Sequence, residues 1–302
     1  MPDYRNRLSR QTPAAVGAKK AFSLVEVLTA STVSTLVVLG VVALFISHAR
    51  DHHDQKLIRE MQQNIRFAID TISRDVRMAG YGVSVRDSEL SQWISWVDGF
   101  TENPLLTQGA STDAPDTLSI AAAFEPPLAE TKSDAAEGAT TLALESGEGA
   151  VFDTGSRSVI YVGRMETARV VNRSGDTLTV SAHPSEAGHG LVNAYPSGTA
   201  IERVDVVTYS CRQGTGVFAD QPYLSRDDHS NESPTEWLTM AAAYIEDFQV
   251  TWDTYALMID VSGRCSKESP VYTHPTEGDR YRRLTVSTRI VPRNATALTL
   301  RD

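Results

Sequence analysis

One feature constrains this sequence more than any other: residues 22–46 form an apolar run broken by a single charged side chain, Glu26. About 20 apolar residues span a bilayer core at 1.5 Å rise per residue, so the run can cross a membrane with room for tilt. A charge costs roughly 2.5–3.5 kcal/mol near the centre of a membrane helix and less towards its end, so a carboxylate there reads by default as functional. Two plainer readings compete. A secretory signal peptide has an apolar region of roughly 7–15 residues that ends at a small-residue cleavage site. Here the run is longer, its small residue Ala21 precedes it, and Ser47-His48-Ala49-Arg50 makes a poor junction. An unprocessed signal anchor explains everything except Glu26.

Charge sets the orientation. Ahead of the run lie Arg5, Arg7, Arg10, Lys19 and Lys20 against one acid, Asp3. The positive-inside rule keeps that leader cytoplasmic and predicts that the rest is exported. Removing the leader takes five bases from 28 and one acid from 38, leaving 23 basic and 37 acidic residues and a net charge of −14. Nucleic-acid binding needs a basic stripe, which an acidic exported part does not supply.

Helical periodicity continues past the membrane. Leu57, Met61, Ile65, Ala68, Ile69, Ile72, Val76 and Ala79 recur at three- and four-residue steps, with Lys56, Arg59, Glu60, Gln63, Arg66, Asp70, Arg74 and Asp75 between them. No proline interrupts residues 22–79, so one helix of about 58 residues, roughly 87 Å, is expected. Gly80-Tyr81-Gly82 should end it. The second half is amphipathic and needs a partner, most simply a β-sheet.

A basic leader, then Ala21, Phe22, and Glu26 as fifth residue of the apolar segment resembles the processing signal of the type IV pilin and pseudopilin superfamily. The family usually has Gly before the cut where this chain has Ala21. The resemblance implies a prepilin peptidase that cuts after Ala21 and methylates the new amino terminus on Phe22. It also implies that Glu26 pairs with that terminus to set axial register during assembly. Further on, Ile72-Ser73-Arg74-Asp75-Val76-Arg77-Met78-Ala79-Gly80-Tyr81 resembles the end of the long helix in PilW-type minor pilins. Taken singly, Arg74 and Arg77 read as a solvated helix face.

Beyond Gly82 about 220 residues remain, enough for one large domain or a domain with an insertion. Short β-rich runs are expected at 116–123, 140–144 and 157–162, and a hairpin at 168–180 around Asn172-Arg173-Ser174-Gly175-Asp176. Residues 200–211 and 283–291 alternate as central strands should, and helix is expected near 91–97 and 236–243. The Ala-, Glu- and Pro-rich stretch 126–138 reads as an exposed loop ahead of a β-rich block at 139–196. Residues 204–211, 243–250 and 284–291 resemble the final strands of the PilW family; the middle block is long for a J-type secretion pseudopilin.

Cys211 and Cys265 both fall in the exported part. An even count in an oxidising compartment predicts a disulfide, stabilising by about 4 kcal/mol on a chain-entropy argument, with two separate thiols as the alternative. His48, His52 and His53 have a spacing that could bind a metal but read better as a polar collar at the membrane exit. Asp227-Asp228-His229 could offer oxygens to calcium but reads better as a charged turn. No G-x-S-x-G, C-x-x-C or H-E-x-x-H occurs, and the three N-x-S/T matches are chance in the bacterial or archaeal chain that a prepilin signal implies.

These observations predict an α+β, pilin-like chain: leader 1–21, long helix 22–79 (transmembrane over 22–46), and β-rich head 80–302 with an insertion at about 139–196. The resemblance implies a non-enzymatic, cofactor-free minor pilin, stored in the inner membrane with its head in the periplasm and then built into a pilus. Its partners would be prepilin peptidase, other major and minor pilins, the assembly platform and membrane lipid. A J-type type II secretion pseudopilin is the alternative in the same class. A membrane-anchored periplasmic hydrolase or binding protein is the alternative in another.

Overall fold

The computed structural model describes residues 23–83, 90–94, 97, 105–108, 114–154, 158–216, 219–229, 239–253, 256–269 and 272–293. The leader and the Ala21–Phe22 junction lie outside the described residues. The chain forms two compact units, Met1–Asp54 and Gln55–Asp302. Helix α1, Leu24–Met78, has 55 residues.

In the first unit, the described side chains through His53 are all exposed, Leu24 at 79% and Phe45 at 72% among them. Within α1 an 18-residue window has a mean hydropathy of 2.2, and the helix is long and apolar enough to cross a membrane. Its hydroxyls bond back into the helix: Thr29 Oγ1 to the Val25 carbonyl (2.9 Å), Ser31 Oγ to Leu28 (2.9 Å), Thr32 Oγ1 to Leu28 (2.8 Å) and Thr35 Oγ1 to Ser31 (2.8 Å). Those donors therefore need no water, as a lipid environment demands.

The second unit is antiparallel β-structure packed on the rest of α1. Its strands are β1 Leu105–Gln108, β2 Thr117–Ala122, β3 Ala129–Glu130, β4 Thr141–Ala143, β5 Val159–Val162, β6 Glu166–Ser174 and β7 Thr177–Ser181. They continue with β8 Ala200–Gln213, β9 Pro222–Asp227, β10 Thr239–Ala243, β11 Ile245–Asp253, β12 Ala256–Arg264 and β13 Arg283–Ile290. Ten strands form one sheet along the path β1-β2-β8-β5-β6-β7-β4, with β3 and β9 also on β8 and β10 on β9. A three-stranded sheet runs β11-β12-β13.

The 14-residue β8 is the spine. Its first residues pair with β3 and β5, its later ones with β2 and β9. Two cores follow. Leu57, Met61, Ile65, Ala68, Ile72, Val76 and Ala79 pack with residues of β1, β2, β8–β13 such as Leu118, Tyr209, Phe248 and Ile259. The apolar side chains of β4–β7 pack with Phe152, Leu191, Tyr195 and Ile201. A short helix, α2 (Leu90–Trp93), adds Leu90 and Trp93 to a third cluster with Ala121, Val159, Val204 and Val206.

Four expectations are corrected. Residues 126–138 are not simply an exposed loop: Ala129 pairs with Ile201, and the Ala135 and Gly138 N–H groups donate to the carbonyls of Tyr195 and Leu191. The backbone there finds its partners in the segment before β8, and the small Ala129 and Ala135 side chains are buried. The helix expected near 236–243 is strand where described, because Thr239–Ala243 pairs with β9 and sheet pairing overrides alanine's helix propensity. Near 91–97 the helix is a single turn. Among the described residues β13 is an edge strand, not a central one; its alternation arises because Leu284 and Val286 pack on the core while Thr285 and Ser287 face out.

Candidate functional site

The two ends of α1 each hold a carboxylate: Glu26, singled out by the amino-terminal motif, and Asp75, which the helix pattern assigns to the solvated side. At the amino end, the Ser23 N–H donates to Glu26 Oε2 at 3.0 Å. This is half of a capping box: a Glu three residues into the helix reaches back to an N–H that has no partner within the helix. Glu26 also sits where the helix dipole favours an anion. Chemically it is an exposed acceptor at the start of an apolar helix. Phe22, the residue it is expected to serve, lies outside the described residues.

Towards the carboxyl end, Asp75 is 2% exposed although it is ionisable. Tyr209 on β8 donates its hydroxyl to Asp75 Oδ2 at 2.6 Å, and Arg226 on β9 donates Nε to the same oxygen at 2.9 Å. Arg74 Nε reaches Oδ1 at 3.3 Å. Burial, followed by the Asp75 charge, holds the Tyr209 hydroxyl above its ordinary value. Paired in this way, the buried carboxylate ties the helix to two strands far away in sequence. The charged ends of Arg74 and Arg77 are different: both residues are exposed, as a solvated face requires.

The turn after α1 is welded to the sheet. Gly80 N–H donates to the Ala121 carbonyl (3.0 Å), and Ala123 N–H donates to the Tyr81 carbonyl (2.8 Å). Tyr81 donates its hydroxyl to the buried Glu202 at 3.2 Å, and Arg164 Nε donates to the same oxygen at 3.1 Å. Gly82 has φ +81°, and a Cβ there would sit 2.8 Å from Ala123 Cβ, so only glycine fits. The stretch 74–82 is thus a structural joint in the head.

Elsewhere the polar clusters also serve structure. Glu166 accepts from the N–H groups of Val192 (3.0 Å) and Asn193 (2.9 Å), from Asn193 Nδ2 (2.9 Å) and from the Tyr195 hydroxyl (2.7 Å). That arrangement fixes the segment leading to β8. Asp227 accepts the His229 N–H (2.9 Å), which closes the turn, and the His229 ring meets Thr208 Oγ1 at 2.8 Å, which ties the turn to β8. His48, His52 and His53 are exposed. Among the described residues, no three His, Cys, Asp or Glu side chains gather into a metal-binding group.

The expected Cys211–Cys265 disulfide is not formed in the structure. Cys265 is buried in the α1-facing core, and Cys211 packs against the same core. Both behave as small apolar side chains, which is cysteine's usual interior role. Burial, then the nearby Asp247 charge, pushes the Cys211 thiol up to about 12.

Sequence reasoning missed Asp75 as an anchor, along with Tyr209, Arg226 and Glu202. One signal was present: Asp75 stands three residues after Ile72 and next to Val76, on the apolar stripe itself. No protein-family model matches this chain, and no curated protein and no solved structure matches it.

Proposed function

We propose that this chain is a minor pilin of the PilW kind, a membrane-stored subunit that primes or enters a type IV pilus. The observation that carries the reading is Glu26 at the first turn of an exposed apolar helix, five residues after Ala21 and behind a basic leader. Prepilin peptidase, itself in the membrane, would release Phe22 as a new, methylated amino terminus. That amine would stand four residues before Glu26 in the sequence and is its natural counter-charge. Opposite charges in a poorly screened, low-dielectric bundle stabilise the register in which they meet, because other registers leave both unpaired.

The mechanism is packing, not catalysis. The apolar half of α1 exchanges lipid contacts for contacts with the helices of other pilins on the assembly platform, while the β-rich head is exported to the periplasm. Support comes from the exposure of that half and from the internal satisfaction of its hydroxyls. The test is intact mass after co-expression with a cognate prepilin peptidase. The proposal expects a mature chain that begins at Phe22 and carries one methyl group. Retention of residues 1–21, or a cut near Ala49, contradicts it.

A further inference from the structure

A groove of about 340 Å³ runs along α1 in the second unit, lined by Ile69, Asp70, Ser73, Arg74, Arg77 and Met78, with Thr288 of β13 and Arg293 opposite. The helical residues form two neighbouring ridges at four-residue steps, 69-73-77 and 70-74-78, so the groove follows the helix axis. Arg293 donates its backbone N–H to the Arg77 carbonyl at 3.3 Å, which holds the two arginines next to each other.

The charge of this lining is the reverse of the chain's. Ten more acids than bases are present overall, yet the groove gathers three arginines against one acid, Asp70. Among the described residues, neither Arg77 nor Arg293 has a carboxylate within ion-pair distance. Arg74 shares Asp75, whose other oxygen is already taken by Tyr209 and Arg226. Arg77 also complements the carboxyl end of the helix dipole, a role that engages none of the guanidinium's donors with a carboxylate among the described residues. Guanidinium forks match carboxylates in pairs of parallel hydrogen bonds. Ser73 and Thr288 add hydroxyls, and β13 stands at the edge of its sheet, next to which an extended chain can lie.

We propose that this groove receives the carboxylates of an acidic, extended segment of a partner protein. The charge pattern argues for the occupant: the chain's net charge of −10 disfavours such a segment in general, whereas three arginines gathered in one groove attract it there. The inference stands on the geometry of the head and does not depend on the pilin reading.

The test uses the full chain in detergent micelles and a fluorescent octapeptide of alternating Glu and Thr, read by anisotropy, with a Gln-Thr octapeptide as the uncharged comparison. Saturable binding of the acidic peptide is expected, with none for the Gln peptide. Arg77→Gln with Arg293→Gln should weaken it at least tenfold, whereas Arg212→Gln with Lys267→Gln, which removes equal charge elsewhere, should change it less than twofold. Thermal melting checks that each variant folds. Should the first variant unfold, Arg77→Lys with Arg293→Lys keeps the charge, loses the fork, and should still weaken binding severalfold. Equal binding by all variants, equal loss in the charge-matched control, or no saturation overturns the proposal. So does displacement by inorganic phosphate or dihexanoylphosphatidylglycerol at lower concentration than by unlabelled peptide, which would assign the groove to phosphate ligands.

Discussion

The two halves of α1 use apolar residues in opposite ways. Between Leu24 and Ile46 they cover every side of the helix and none is buried; between Leu57 and Val76 all but the exposed Phe67 form one stripe that sinks into a β-sheet core. Each half also carries one telling carboxylate. Glu26 is exposed and accepts a single backbone N–H, whereas Asp75 is buried and accepts from Tyr209, Arg226 and Arg74. The contrast teaches that hydrophobicity alone does not say what a helix is for. A stripe has found its partner within the chain, while an all-round apolar surface has to find one outside it, in lipid or in other helices.

The comparison breaks most readily at Asp75. Asp75→Ala leaves the buried Tyr209 hydroxyl and the part-buried Arg226 guanidinium without their shared acceptor, a change that costs up to about 3–5 kcal/mol. Chemical denaturation of the head should show a loss of that size. A melt unchanged from wild type would mean that the second half is not anchored by this carboxylate.

Truncation of apolar side chains sharpens the same contrast. Ile65 is fully buried, so Ile65→Ala should destabilise the head by about 2–5 kcal/mol. Leu36 is exposed, and Leu36→Ala should leave head melting unchanged. Equal effects at the two positions would erase the distinction between the halves.

A smaller effect is expected at Cys211, inside the buried half's core. Its folded-state thiol sits near 12 against an ordinary value of 9.0, so the folded state favours the protonated form. That contribution is fully present below pH 9, declines as pH rises, and is lost towards pH 12. Alkylation of Cys211 in folded protein should stay slow up to about pH 10 and accelerate on denaturation, because the thiolate is the reactive species. Rapid labelling of folded protein at pH 8 would show that this part of the core is open.

Much of this was legible in the sequence for local reasons. The α1 stripe from Leu57 to Ala79 follows from three-to-four-residue periodicity, the stop at Gly80-Tyr81-Gly82 from its glycines, and the strand at 117–122 from a short β-rich run between turn signals, all of which neighbours along the chain fix. The hairpin of β6 and β7 was legible from its turn residues, although β6 runs through Ser174 and leaves Gly175 and Asp176 to turn. What stayed hidden depends on distant pairing. The Asp75 bonds join residues 134 and 151 positions apart, and nothing local points from Asp75 to Tyr209 or Arg226. Thr239–Ala243 looks helical because alanine favours helices, but β9 offers it a ladder. The pairing of the thiols is likewise not legible, because an even count says nothing about whether two sulfurs approach each other.

Glu26 tests the central claim, that the exposed half of α1 assembles while the buried half folds. Glu26→Ala removes the charge and leaves the sheet core untouched. The account predicts normal membrane levels, a head that melts like wild type, and loss of the variant from sheared pilus fractions, measured by quantitative immunoblot. Recovery of the variant from pili at wild-type amounts would contradict it and leave the apolar half as a plain membrane anchor.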